Sequence, residues 1–290
     1  MSVTEFLRPA STQEAVGILA ERGDDAKIVA GGQSLAVLLR MGLVQASALV
    51  GLNGVSELEE LNASDGELHV GARVTHQRVQ ADPEVRRRWT VLAEATAAVS
   101  TPQVRNQGTV CGNVAHAYPL ADPPAALLAL DARAHLRSAA GERIVPLDAF
   151  FVDVLTTVLE PTELLTHLTV PAPDPRSGGA YEVFRLRALD YPTIGVAVQV
   201  ALDADGRCAE VRVALNGAAA TPMRARRAEA ALIGQPTDPH VLKAAGAQAA
   251  AEADPSEDVD GSVAYKRRLV AVLLQRAARR AVERAIGTWS

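Results

Sequence analysis

Only two cysteines occur in the sequence, Cys111 and Cys208, and they stand far apart. That excludes a disulfide framework and a paired-cysteine zinc site. It also excludes the full thiolate set of a typical iron–sulfur cluster. The six histidines are scattered, and none falls at HxxxH or HExxH spacing. Aromatic residues make up 3%, too few for a base-stacking platform. Basic residues are no excess either: 29 Lys and Arg stand against 34 Asp and Glu, a net charge of −5. Such a chain advertises neither nucleic acid nor an anionic membrane as a partner. No run approaches the ~18–20 apolar residues of a membrane helix. The first residues lack the basic-then-apolar order of a secretion signal. These absences point to a reducing cytoplasm, with any metal chemistry carried by a partner.

What is present is an ordinary globular composition, 48% apolar and 22% charged over 290 residues. That length suggests about two domains. Ser11 with Glu14 reads as a helix start, and Gly23 as its end. Lys27–Ala30 reads as a short strand running into Gly31-Gly32, followed by a helical pattern in Leu35, Leu38 and Leu39. Ala48–Leu52, Leu68–Ala72 and Leu164–Val170 are further strands, and Trp89–Val99 and Ala125–Leu130 are buried helices. Pro171–Gly179 holds three prolines and two glycines and reads as a linker. Beyond it, Tyr181–Leu189, Ile194–Leu202 and Cys208–Asn216 read as strands. Asp203–Gly206 is the turn between the last two. The rest is helical, ending in a long helix from Tyr265 to Ile286.

Two glycine-bearing turns carry the chemistry. The first is Ala30-Gly31-Gly32-Gln33-Ser34-Leu35. Small residues between a strand and a helix let backbone N–H groups approach a phosphate. The turn is neither a P-loop nor GxGxxG. The second is Gln103 to Asn113, in which Gly108 and Gly112 bracket Thr109, with Asp122 following. Asp122 suits the hydroxyls of a ribityl or ribose unit. Taken singly, each segment also reads as a tight turn with a helix cap.

Together, VAGGQSL, LHVGARVTH and TPQVRNQGTVCGNVAHAYPLADPPAALLAL resemble the flavoprotein subunit of molybdenum hydroxylases. The likeness is to the medium subunit of aerobic carbon monoxide dehydrogenase and the FAD domain of xanthine dehydrogenase, and it covers almost the whole chain. It implies an α+β architecture. A two-part FAD-binding domain of the vanillyl-alcohol oxidase (PCMH-type) superfamily would span 1–173, with subdomains about 1–56 and 57–173. A linker at 174–180 would lead to a C-terminal domain, 181–290, with a three-stranded antiparallel sheet and helices. By the same resemblance Val29, Ala30, Gly31, Gly32, Gln33, Ser34 and Leu35 would hold the pyrophosphate. Thr109, Cys111, Gly112 and Asn113 would hold the other side of the FAD, and Asp122 would add a polar contact. Leu165 would pack near the flavin ring, and Tyr191 would shield it.

Three positions depart from the family pattern. Gln33 stands where His is frequent, Cys111 where Gly is usual, and Val183 where a Lys near the flavin is common. Cys111 reads either as a packed side chain or as a redox-active or flavin-linked thiol. Arg185, two residues on, is the candidate replacement for the lost Lys charge. The resemblance implies one partner with the molybdenum cofactor and a small partner with [2Fe–2S] clusters. Electrons would pass through FAD to an acceptor such as NAD, quinone or oxygen. The alternatives are a stand-alone FAD-dependent oxidoreductase and an FAD-free interaction module. His76 reads as a structural residue at a helix start, and the arginines of the last helix as a solvated face.

Overall fold

The computed structural model describes residues 5–287. Residues 1–4 and 288–290, at the outer ends of the two expected domains, lie outside that range.

The N-terminal part is a small parallel sheet. Strand β1 (Glu5–Leu7) leads to helix α1 (Thr12–Arg22), then β2 (Ala26–Val29), α2 (Leu35–Met41) and β3 (Ala48–Gly51). β3 lies in the middle, parallel to both neighbours. The start of α1 follows from its sequence. The Ser11 hydroxyl accepts from the Glu14 N–H, and the Glu14 carboxylate accepts from the Ala10 N–H. Thr12, Ala15, Val16 and Leu19 then face the core at helical spacing.

The second part is an antiparallel sheet with a helical layer. Its elements are β4 (Leu61–Ser64), β5 (Glu67–Gly71), α3 (His76–Ala81), α4 (Pro83–Arg88), α5 (Thr90–Ala98), α6 (Pro102–Gln107), α7 (Val110–His116) and α8 (Asp122–Ala129). They continue as β6 (Arg133–Ser138), β7 (Gly141–Pro146), β8 (Phe151–Asp153), β9 (Thr156–Thr157) and β10 (Leu164–Pro171). The sheet order is β4-β5-β10-β6-β7. α8 is buried along its whole length, because its Ala and Leu residues pack on all sides. Each such Leu, fully buried, contributes about 1.5–3 kcal/mol of transfer free energy. One continuous core joins these two parts.

The C-terminal part comprises β11 (Ser177–Phe184), β12 (Ile194–Leu202), β13 (Cys208–Asn216), β14 (Met223–Arg224), α9 (Arg226–Leu232), α10 (Pro239–Glu252) and α11 (Val263–Ala285). The three long strands pair in antiparallel order, and the two-residue β14 adds a short fourth. The expectation of three strands is corrected to that extent.

The linker expected at 174–180 is also shorter than the sequence suggests, because β11 begins at Ser177. The glycines there serve close packing rather than flexibility. A Cβ on Gly178 would overlap the Ala281 carbonyl oxygen of α11, and one on Gly179 would overlap the Gln199 side chain. At its other end β11 stops at Phe184, so Arg185–Leu189 is not the strand the sequence suggests.

α11 departs from a uniformly solvated basic face. Lys266 is buried, pairs with Asp258 at 2.6 Å and donates to the Ser256 carbonyl at 2.9 Å. Arg280 and Arg284 reach across the seam to Glu94 on α5. The same Glu94 carboxylate accepts from the Tyr181 N–H at 2.8 Å. Within the second part, Trp89 donates its indole N–H to the Pro171 carbonyl at 2.9 Å and so ties the start of α5 to the end of β10.

Candidate functional site

The two glycine-bearing turns face each other across a seam of backbone. A Cβ on Gly31 would overlap the Gln107 carbonyl oxygen and crowd the Gly108 Cα. The absence of a side chain is therefore what lets the turns meet. Gly32 adopts φ +71°, a conformation glycine enters without steric cost.

The second turn is fixed from behind. Thr75 and Thr109 form an isolated bridge, His76 N–H donates to the Gly108 carbonyl at 3.0 Å, and Val110 N–H donates to that of Val74 at 3.0 Å. The Thr109 hydroxyl caps α7 by accepting from the Gly112 N–H at 3.1 Å.

Around these turns lies a cavity of about 590 Å³, within the size range of cofactor pockets. Of the expected residues it brings together Ala30, Gly31, Gly32, Gln33, Ser34, Leu35, Thr109, Gly112, Asn113, Asp122 and Tyr191. Val29, Cys111 and Leu165 are not on its wall. Val29 ends β2 just before the turn. Leu165 is 4% exposed and belongs to the core.

Cys111 is likewise buried in the core, where its thiol donates to the Val70 carbonyl at 3.4 Å. Burial pushes that thiol well above its ordinary titration range. Its side chain fits the turn by pointing into the sheet, so the packed reading stands and a flavin-linked thiol has no support here. Cys111→Ala is expected to keep full flavin content, and no flavin should stay bound after acid denaturation of the wild type. Acid-stable flavin lost on that substitution would overturn this placement.

Asp122 is 4% exposed. Burial raises its carboxyl to about 6, while the Arg185 guanidinium beside it pulls the other way. Its Oδ1 pairs with Arg185 and lies 2.9 Å from the Tyr181 hydroxyl. That hydroxyl is also 3.0 Å from Asn216 Oδ1, so its one proton serves either acceptor. Asp122 therefore ties the cavity wall to the C-terminal part.

Arg185 is held by the same arrangement. Besides Asp122, it donates to the carbonyls of Ala98 and Asp190, both at 3.0 Å. Its charge is engaged by Asp122 rather than standing free in place of the Lys missing at Val183. Tyr191 lies at the rim, half exposed, and meets Tyr118 edge-on at 4.7 Å between ring centres.

Other wall residues lie outside the expected set, although His116 falls within the segment that carries the second motif. They include Lys27, Val99, Ser100, His116 and residues of 155–161. Ser100 has φ +35°, a backbone state that no pattern of residue types signals. Two wall side chains hold unpartnered buried atoms, Nδ1 of His76 and Oδ1 of Asn113. Buried polar atoms are nearly always satisfied, so each of these two leaves an unmet hydrogen bond beside the cavity. Glycine turns for phosphate, unfilled polar atoms and an aromatic rim suit a dinucleotide carrying a planar ring. Among the described residues no group of three or more His, Cys, Asp or Glu is placed to hold a metal ion, and no helix is long and apolar enough to cross a membrane.

Fold and cavity thus define a flavin-dependent oxidoreductase component, and comparison with known proteins agrees. Residues 2–173 match the family described as the FAD binding domain in molybdopterin dehydrogenase. Residues 179–281 match the CO dehydrogenase flavoprotein C-terminal domain. Subunit alpha of the 6-hydroxypseudooxynicotine dehydrogenase complex of Paenarthrobacter nicotinovorans is 36% identical over 97% of this chain and 95% of its own. The structure of carbon monoxide dehydrogenase from Hydrogenophaga pseudoflava superposes with a TM-score of 0.93 at 35% identity, covering 97% of each chain. Quinoline 2-oxidoreductase from Pseudomonas putida 86 gives 0.91 at 35% identity, covering 97% of this chain and 98% of that one. This chain belongs to the FAD-binding flavoprotein subunits of the molybdenum hydroxylase family. Its cofactor is FAD.

Proposed function

We propose that this chain is the electron-transfer subunit of a three-component molybdenum hydroxylase. One partner would carry the molybdenum cofactor and oxidise the substrate, and a small partner would carry [2Fe–2S] clusters. FAD, when bound here, supplies the step between one-electron clusters and an external acceptor such as NAD, quinone or oxygen. The chain's own residues bind and orient it. Ala30 to Leu35 approach the phosphates through their backbone, Gly112 and Asn113 face the cofactor from α7, and Tyr191 covers the rim.

The observation that carries this reading is the cavity formed where Gly31 meets Gln107 and Gly108. It brings together two turns that lie far apart in sequence. The substrate would be set by the molybdenum partner. Cytoplasmic location accords with two free, buried thiols.

The purified chain is expected to bind one FAD per chain, released by acid as free flavin. A colourless protein that takes up no FAD would overturn the assignment of the cavity.

A further inference from the structure

His76 opens α3 immediately after its cap, Thr75, and lines the cavity. It is 2% exposed. Its Nδ1 is buried with no hydrogen-bond partner. Such an imidazole is costly unless something binds it.

Its position is tightly fixed. The backbone N–H is held by the Gly108 carbonyl at 3.0 Å. A Cβ on Gly108 would stand 3.2 Å from the ring Cδ2 and 3.4 Å from Nε2. Gly108 is thus the residue against which both Gly31 and the His76 ring lie. Burial, and then the charge of Arg105, push the His76 imidazole down to about 4. At neutral pH the ring is uncharged, with one nitrogen to donate and one to accept. Arg105 is anchored behind it, donating to the carbonyls of Val99 and Ser100 at 2.8 and 2.9 Å.

We propose that His76 contacts the bound FAD directly, its imidazole hydrogen-bonding the phosphate-bearing part of the cofactor where Gly31 and Gly108 meet. This rests on the FAD reading of the cavity. It assigns a binding role to a residue that the paired glycine motifs leave out. The ring is already immobilised by its backbone bond and by Gly108, so little side-chain entropy is lost on binding.

The test measures FAD affinity of the apo-chain by flavin fluorescence, beside its melting temperature without FAD. His76→Phe keeps a planar ring and removes both nitrogens. His76→Asn keeps an amide near the place of Nδ1, and His76→Gln keeps one near that of Nε2. Expected is a loss of roughly tenfold or more in affinity for His76→Phe at unchanged apo melting, the value of one buried hydrogen bond. Expected too is recovery of most of that loss in either the Asn or the Gln variant.

Equal affinity of wild type and His76→Phe would overturn the inference. So would failure of both amides to recover any of the loss, since that is the result for a packing role. Should His76→Phe not fold, the ring ¹⁵N signals of wild-type His76, assigned by their absence in a folded amide variant, decide. They must move on FAD addition, and unmoved signals would overturn the contact. A wild-type chain that binds no FAD brings down the cavity assignment itself and this inference with it.

Discussion

Gly31→Ala is expected to weaken FAD binding at least a hundredfold. The new Cβ would overlap the Gln107 carbonyl oxygen, a backbone atom that no rotamer change can move aside. Either the first turn lifts off the second or the 107–108 backbone shifts, and both displace the amides proposed to meet the phosphates. Overpacking of this kind costs about 1–3 kcal/mol in stability, while the loss of phosphate geometry falls on binding.

Gly32→Ala makes the control. A Cβ there meets nothing nearer than Val29 Cγ1 at 3.6 Å, and the penalty comes from φ +71°, about 1–2 kcal/mol. Its effect on affinity is expected to be the smaller of the two. Flavin fluorescence titration of both variants checks the order. Wild-type affinity in Gly31→Ala would show that the meeting of the turns does not shape the site.

Arg185→Ala is expected to destabilise the protein by about 3–5 kcal/mol at neutral pH, the cost of leaving a buried charge without its partner. Asp122 and Arg185 are both largely buried, with side-chain exposures of 5% and 11%, so solvent screens the pair little. The pH dependence follows from the sign of the shift. Asp122 titrates near 6 in the folded protein, above its ordinary 3.8. Its favourable protonated contribution is complete below about 4 and is lost as pH rises through 6. Removing the arginine moves the folded value higher still, because the cation was lowering it. The deficit of the variant is therefore largest at pH 8 and shrinks toward pH 5. Urea melts of both proteins at pH 5 and pH 8 measure this. A deficit equal at the two pH values would show that Arg185 acts by packing alone.

Much of the fold was readable because local chemistry and global position agree. The Ser11–Glu14 cap, the apolar, Val-rich runs of the long C-terminal strands and the Asp203–Gly206 turn each carry their own signal. The glycine pair in 178–179 misled, because loop composition and close packing against a helix select the same residue. Residues 30–35, 109, 112 and 113, which line the cavity, were named by the resemblance of the paired motifs, since each glycine turn alone also reads as a tight turn.

Leu165 within the family pattern, and Cys111 as a departure from it, gave no sign of the direction of their side chains, which the sheet and α7 turn inward. His76 was invisible as a ligand. A lone histidine after a capping threonine is the ordinary signature of a helix start, and only the empty bond at Nδ1 distinguishes it. Arg185 shows the same limit, since its partner Asp122 lies 63 residues away in sequence.

The most direct test of the electron-relay function is affinity isolation of this chain from its native host. The eluate is examined for its visible spectrum, molybdenum, iron and co-purifying chains. Expected is a flavin spectrum with iron–sulfur absorbance, both metals, and two further subunits, with substrate bleaching the flavin only through that complex. A yellow chain without metals or partners, turning over a small molecule by itself, would contradict it.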